Sequence, residues 1–91
     1  MLYLLEVLMI DILIEDTSID RLNKLATLFK GHCYLFKPSI GKLLIRQFST
    51  PNSDTTTYSN LSEDDLAALE FLPDFDTRYT YLLSLSLGIN A

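Results

Sequence analysis

The hydrophobic residues of this chain form several segments whose spacing differs, and each spacing predicts a type of element. Residues 2–14 are apolar at both odd and even positions and rich in branched side chains. This pattern is typical of a strand covered on both faces, although a buried helix is the alternative for so short a run. Residues 33–37 and 42–48 predict two further strands, joined by a turn that has Pro38 early and Gly41 late.

Two segments have the spacing of amphipathic helices. Apolar residues between positions 19 and 29 recur every three or four residues, with Thr17 or Ser18 available as a cap and Gly31 able to end the helix. Residues 62–72 predict a second helix, because its first serine can cap the backbone and a proline follows its last residue.

The remaining segments are less regular. Residues 78–87 alternate between apolar and polar positions, which predicts a strand, but the adjacent Leu82 and Leu83 and the following Gly88 leave a helix open. Residues 49–60 are polar and predict a flexible loop. The threonines at 55–57 and Tyr58 leave open a short hairpin extension within that loop.

The order strand–helix–strand–strand–helix–strand predicts an α+β fold. It fits a ferredoxin-like βαββαβ two-layer sandwich, with both helices on one face of a four-stranded sheet. A length of 91 residues predicts a single domain over residues 1–91. The other sheet face would then be open and would carry large side chains, which favours contact with a partner or with a second copy.

The charge distribution narrows the classes of partner. The formal net charge is −5, with seven basic and twelve acidic residues, so direct binding to nucleic acid is not expected. Six of the seven basic residues precede position 50, whereas residues 63–76 contain six acids and no base. These blocks make the molecule an electrostatic dipole if they lie on different faces, and ordinary solvated surface if they do not.

The sequence gives little support for a catalytic site. Asp11, Glu15 and Asp16 cluster at the end of the first strand, as a metal-dependent nuclease would require, but no basic set accompanies them. His32 and Cys33 lack further zinc ligands, and adjacent residues of a strand point to opposite faces. We therefore expect no catalytic residue, no metal site and no cofactor, and a protein that is not an enzyme.

The compartment is predicted from the single cysteine and from the start of the chain. One cysteine cannot form an internal disulfide, and the first residues lack the basic region of a signal peptide. The apolar stretch is too short for a membrane span and contains Glu6 and Asp11. We expect a cytoplasmic protein with no membrane contact; Met9 is an alternative start.

These observations favour a non-enzymatic protein–protein interaction module, such as a small acidic inhibitor or adaptor that binds a basic protein surface. A small-ligand-binding regulatory domain acting as a dimer is the alternative, and a metal-dependent nuclease is a third hypothesis. The expected assembly is a homodimer. The predicted partner-binding residues lie in the acidic segment and its aromatic corner: Glu63, Asp64, Asp65, Glu70, Phe71, Asp74 and Phe75.

Overall fold

The first described strand organises the sheet through its pairing on both sides. The computed structural model describes residues 8–49 and 55–87. In chain order the elements are β1 (Leu8–Glu15), α1 (Ile19–Leu28), β2 (Cys33–Lys37), β3 (Lys42–Ser49), β4 (Thr55–Ser59), α2 (Glu63–Phe71) and α3 (Phe75–Leu87). β1 pairs with β3 antiparallel and with β4 parallel, and β2 pairs with β3 antiparallel. The protein is therefore a mixed α+β fold with an open four-stranded sheet in the order β2-β3-β1-β4.

Alternation along the strands separates a core side of the sheet from an open side. On β1 and β3 the core side carries Ile10, Ile12, Ile14, Leu43 and Ile45, all of which are buried. The helices complete the same core with Leu22, Leu25, Phe29, Leu66, Leu69, Tyr79 and Leu82. Because burial of apolar surface is the main stabilising term, this core fixes the helices against one side of the sheet.

The first two helices begin where the sequence predicts. Ser18 caps α1, since its hydroxyl accepts a hydrogen bond from the backbone N–H of Arg21 at 3.3 Å. Gly31 follows the helix with a φ of 86°, a conformation that disfavours residues with a Cβ. Ser62 caps α2 in the same way, by accepting from the backbone N–H of Asp65 at 3.1 Å.

The prediction of a strand over residues 78–87 is wrong, because this segment belongs to helix α3. Buried Tyr79 and Leu82, with half-buried Phe75 before them, recur at helical spacing. The phenolic hydroxyl of Tyr79 also donates a hydrogen bond to the carbonyl oxygen of Ile10 at 2.9 Å, which ties the helix to β1. The alternation of apolar residues along the segment does not reflect which of them are buried.

Local hydrogen bonds satisfy several short polar side chains at the start and along the length of α3. The carboxylate of Asp74 caps its start by accepting from the backbone N–H of Thr77 at 2.9 Å. The hydroxyls of Thr80, Ser84 and Ser86 donate to carbonyl oxygens three or four residues earlier. The serines and the threonine that alternate with apolar residues in this segment are therefore compatible with a helix.

The fourth strand comes from the segment predicted as a loop. Residues 55–59 form β4, so the loop prediction over residues 49–60 is wrong there, and residues 50–54 lie outside the described residues. Ser59 is 2% exposed, and α3 packs on β4, where small side chains allow a close approach. The element order is strand–helix–three strands–two helices, and the predicted ferredoxin-like order is not confirmed. Residues 2–7 of the predicted first strand also lie outside the described residues.

Candidate interaction surface

The side of α2 that faces away from the core forms a surface of acids ending in an aromatic residue. Leu66 and Leu69 are buried against the core. The residues on the other side are exposed, and we call them the acidic stripe: Glu63, Asp64, Ala67, Glu70 and Phe71. Helical spacing places Asp64, Ala67 and Phe71 in one row along this side.

Phe71 is the most unusual residue of the stripe because 86% of its surface is exposed. α2 ends at this residue, and the backbone N–H of Leu72 bonds to the carbonyl oxygen of Leu69 at 3.2 Å. Leu72 turns inward and packs against the core, whereas Phe71 remains outside. Burying a phenylalanine side chain is worth roughly 2 kcal/mol, so the monomer leaves this stabilisation unused.

Asp65 and Glu70 of the predicted site make contacts within the molecule. Asp65 accepts a hydrogen bond from the Tyr81 hydroxyl at 3.0 Å, which raises the pKa of that tyrosine. Glu70 forms an ion pair with Lys24 of α1 at 2.8 Å.

Asp74 and Phe75 lie on the far side of the corner that ends α2. Asp74 caps α3 by accepting a hydrogen bond from the backbone N–H of Thr77, and this hydrogen bond lowers the pKa of the Asp74 carboxyl. Phe75 stacks on His32 with ring centroids 3.6 Å apart and packs edge-on against Phe29. Of the predicted residues, the structure therefore gathers Glu63, Asp64, Glu70 and Phe71 on the stripe.

The basic helix α1 and the acidic helix α2 lie side by side. The Lys24–Glu70 ion pair bridges them, and Arg21 donates to the carbonyl oxygen of Leu61 just before α2. Arg21 and Lys24 of the basic block therefore meet the acidic block at this boundary. Lys37, Lys42 and Arg46 of the same block belong to strands β2 and β3. Glu63 and Asp64 of the stripe lie in the first turn of α2, where the helix dipole favours negative charge.

The acids near the end of β1 are each matched with a separate cation. Asp11 accepts two hydrogen bonds from Arg46, at 2.6 and 2.8 Å. Glu15 pairs with Lys42 at 3.4 Å, and Asp16 pairs with Arg21 at 2.7 Å. Asp11 and Glu15 are about 13 Å apart along the strand, too far to share an ion. Within the described residues no group of three His, Cys, Asp or Glu residues could hold a metal ion, so the nuclease hypothesis gains no support.

Cys33 is placed as a packing residue. Its thiol lies 3.3 Å from the carbonyl oxygen of Phe29, to which it donates, and burial raises the pKa of the thiol. A raised pKa disfavours the reactive thiolate. The neighbouring His32 stacks on Phe75 and is not positioned by any described contact as a base for the thiol.

A groove between the start of α1 and the turn after β2 is one concave surface that could take a small ligand. Glu15, Asp16, Ile40 and Leu61 contribute to its lining. Its two carboxylates already pair with Lys42 and Arg21, so the groove offers a ligand few uncommitted charges. The ligand-binding alternative therefore gains no support from this groove.

The second exposed surface is the open side of the sheet, which we call the open sheet face. Tyr34 is 61% exposed and Tyr58 is 57% exposed, and both belong to the two edge strands. The guanidinium of Arg46 lies 3.7 Å from the centre of the Tyr34 ring, a favourable cation–π contact. The surface combines apolar, aromatic and charged side chains.

Comparison of the chain with protein-family models, curated proteins and solved structures finds no match. Within residues 8–49 and 55–87, no helix has both the length and the apolar character needed to cross a membrane. Any functional assignment therefore depends on the chemistry of the chain's own surfaces.

Proposed function

We propose that this chain is a non-enzymatic protein-interaction module whose acidic stripe docks on a basic surface of a partner protein. The observation that carries the proposal is the 86% exposure of Phe71 at the end of a helix side that also exposes Glu63, Asp64 and Glu70. Aromatic side chains are enriched at protein interfaces, where they act as buried anchors.

The acids of the stripe and its aromatic residue have different roles in this proposal. Glu63 and Asp64 attract a basic surface and orient it, because complementary charge raises association rates and disfavours wrong partners. Phe71 then supplies the apolar contact, since its side chain is desolvated only when the partner binds. A small acidic inhibitor that covers the nucleic-acid-binding surface of another protein is one concrete form of this activity.

The proposal includes a cytoplasmic setting and self-association. A reducing compartment is consistent with Cys33, which is a free thiol. Self-association is favoured by the exposed tyrosines on the open sheet face, which lies on the side of the sheet away from the helices.

The test uses matched variants of the tagged full-length chain. Phe71→Ser removes the anchor, and Glu63→Lys with Asp64→Lys reverses the charge while leaving the Asp65–Tyr81 hydrogen bond intact. Asp20→Lys is the control, because Asp20 is an exposed acid in the first turn of α1 and its reversal has a similar effect on a helix dipole. Each variant is used to capture proteins from a cell extract at low and at high salt.

A specific partner should be retained by the wild-type chain and by Asp20→Lys, and lost from both stripe variants. Binding of the purified partner should weaken about tenfold or more for Phe71→Ser, as expected for an aromatic anchor. Urea unfolding should show that the stripe variants remain folded. A partner that binds all variants equally would contradict the proposal.

A further inference from the structure

Among the residues whose side chains the structure describes, those of the open sheet face form three rows that cross the strands. The strand pairing places an apolar row in the middle, formed by Leu35, Leu44, Leu13 and Tyr58. One flanking row contains Tyr34, Arg46, Asp11 and Thr56, and the other contains Lys37, Lys42 and Glu15. On the two central strands, each flanking row therefore has a base on β3 and an acid on β1.

We propose that this face binds the same face of a second copy of the chain, around a two-fold axis parallel to the strands and between β1 and β3. This axis places β1 of one copy over β3 of the other copy. Each row of side chains then faces the same row of the other copy. Leu13 then lies opposite Leu44 of the partner copy, and Asp11 lies opposite Arg46. Glu15 lies opposite Lys42 in the same way, so the central charges of the face are self-complementary.

The alternative two-fold axis, perpendicular to the strands, does not give this match. It would exchange the two flanking rows, so that Arg46 faced Lys42 and Asp11 faced Glu15 of the other copy. Like charges opposite each other are unfavourable. The axis parallel to the strands also keeps the strands of the two sheets aligned, which is a common geometry for packed sheets.

The cost of covering these charges is limited because each is already paired within its own copy. Arg46 makes a bidentate contact with Asp11, and Lys42 pairs with Glu15. A covered pair leaves no single charge without a partner, which is the costly case. Lys37 lies on the edge strand β2, where it remains at the rim.

Sedimentation equilibrium of the full chain tests the interface. We expect a dimer for the wild type, and a dissociation constant raised about tenfold or more by Leu44→Asp or Tyr58→Asp, which place an acid in the apolar row. Tyr58 is 57% exposed, so its variant should fold even if Leu44→Asp does not, as circular dichroism will show. Phe71→Asp is the control, because it makes the same change on the helix side and should leave the dimer unchanged.

The outcomes separate this inference from the proposed function. A wild-type chain that is monomeric at every concentration, or a dimer unaffected by Tyr58→Asp, would overturn the sheet-face dimer. Loss of partner binding in Phe71→Asp with the dimer intact would support both surfaces independently.

A charge exchange tests the axis itself. The double variant Asp11→Arg with Arg46→Asp keeps the pair within each copy and the match between two variant copies. Mixed with the wild type, however, it places like charges opposite each other. We expect each form to dimerise with itself and mixed dimers to be depleted, measured by native mass spectrometry. Mixed dimers at the statistical proportion would overturn the proposed axis.

Discussion

The ionisation of Asp16 makes the stability of the start of α1 depend on pH. Its carboxylate accepts from the backbone N–H of Ser18 at 2.9 Å and from Nε of Arg21 at 2.7 Å. Burial raises the pKa of Asp16, but these hydrogen bonds outweigh burial and hold it below the ordinary value of 3.8. Because the folded-state pKa is depressed, the stabilisation is present above the unfolded pKa and is lost as the pH falls through the folded value.

We therefore predict that Asp16→Asn lowers the free energy of unfolding by about 1 kcal/mol at neutral pH. Asparagine can still accept from the N–H of Ser18, but its amide nitrogen cannot accept from Arg21, so the variant removes the charge together with the Arg21 hydrogen bond. The difference from wild type should vanish at a pH well below 3.8, measured by urea unfolding at several pH values. Asp20→Asn serves as an exposed control, and a pH-independent difference for Asp16→Asn would contradict the argument.

Cys33 should react slowly in the folded protein. Its half-buried thiol donates to the carbonyl oxygen of Phe29, and its pKa is raised. Since the thiolate is the reactive form, alkylation by iodoacetamide at mildly alkaline pH should accelerate about tenfold or more when the chain is unfolded in urea. Equal rates in the folded and unfolded chain would show that the thiol is accessible and ionises normally.

At the level of elements, α3 depends on the cap that Asp74 provides. Asp74→Ala removes the acceptor for the backbone N–H of Thr77 and should cost about 1 kcal/mol of folding stability. Ser62→Ala is the matched variant for α2 and should have a similar effect. If Ser62→Ala lowered the free energy of unfolding and Asp74→Ala left it unchanged, the result would contradict the capping role of Asp74.

The sequence predicts α1 and α2 well because capping and apolar spacing agree in both segments. In α3 they do not, since the apolar alternation from Tyr79 to Leu87 suggests a strand. The cap at Asp74 and the spacing of Phe75, Tyr79 and Leu82 are the signals that indicate the helix. Which apolar residues are buried depends on packing against β1 and β4, and that information is not local.

The strand β4 was harder to predict because its inward side carries small polar residues in place of large apolar ones. Ser59 and Thr57 face the core side where α3 packs, and their pairing with β1 is set by contacts distant in sequence.

Prediction of the candidate interaction surface from the sequence is limited in the same way. The sequence indicates Phe71 and its acidic neighbours, but only the fold shows that Asp65 is engaged by Tyr81 and Glu70 by Lys24.

At the level of the whole molecule, the two proposed surfaces lie on opposite layers. The acidic stripe belongs to the helix layer, and the open sheet face lies on the other side of the sheet. A dimer formed through the sheet would therefore present two stripes pointing away from the interface. Such a bivalent arrangement would strengthen binding to a partner with two suitably spaced basic surfaces.

The net charge of −5 leads to opposite salt responses for the two associations. Two identical acidic chains repel each other as wholes, and salt screens this repulsion. Their facing charge pairs are covered within the interface and are screened less. The stripe instead attracts a basic partner across solvent, so salt weakens that attraction.

We predict that raising the ionic strength from about 0.1 M to about 1 M, which shortens the screening length from about 10 Å to about 3 Å, weakens stripe binding and leaves the dimer equal or tighter. Sedimentation equilibrium and partner titration at the two salt concentrations measure both quantities on the same protein. The variant Glu63→Lys with Asp64→Lys removes most of the net charge, so it should tighten the dimer at low salt. If salt weakened both associations alike, exposed charges rather than the apolar row around Leu13 and Leu44 would hold the dimer together.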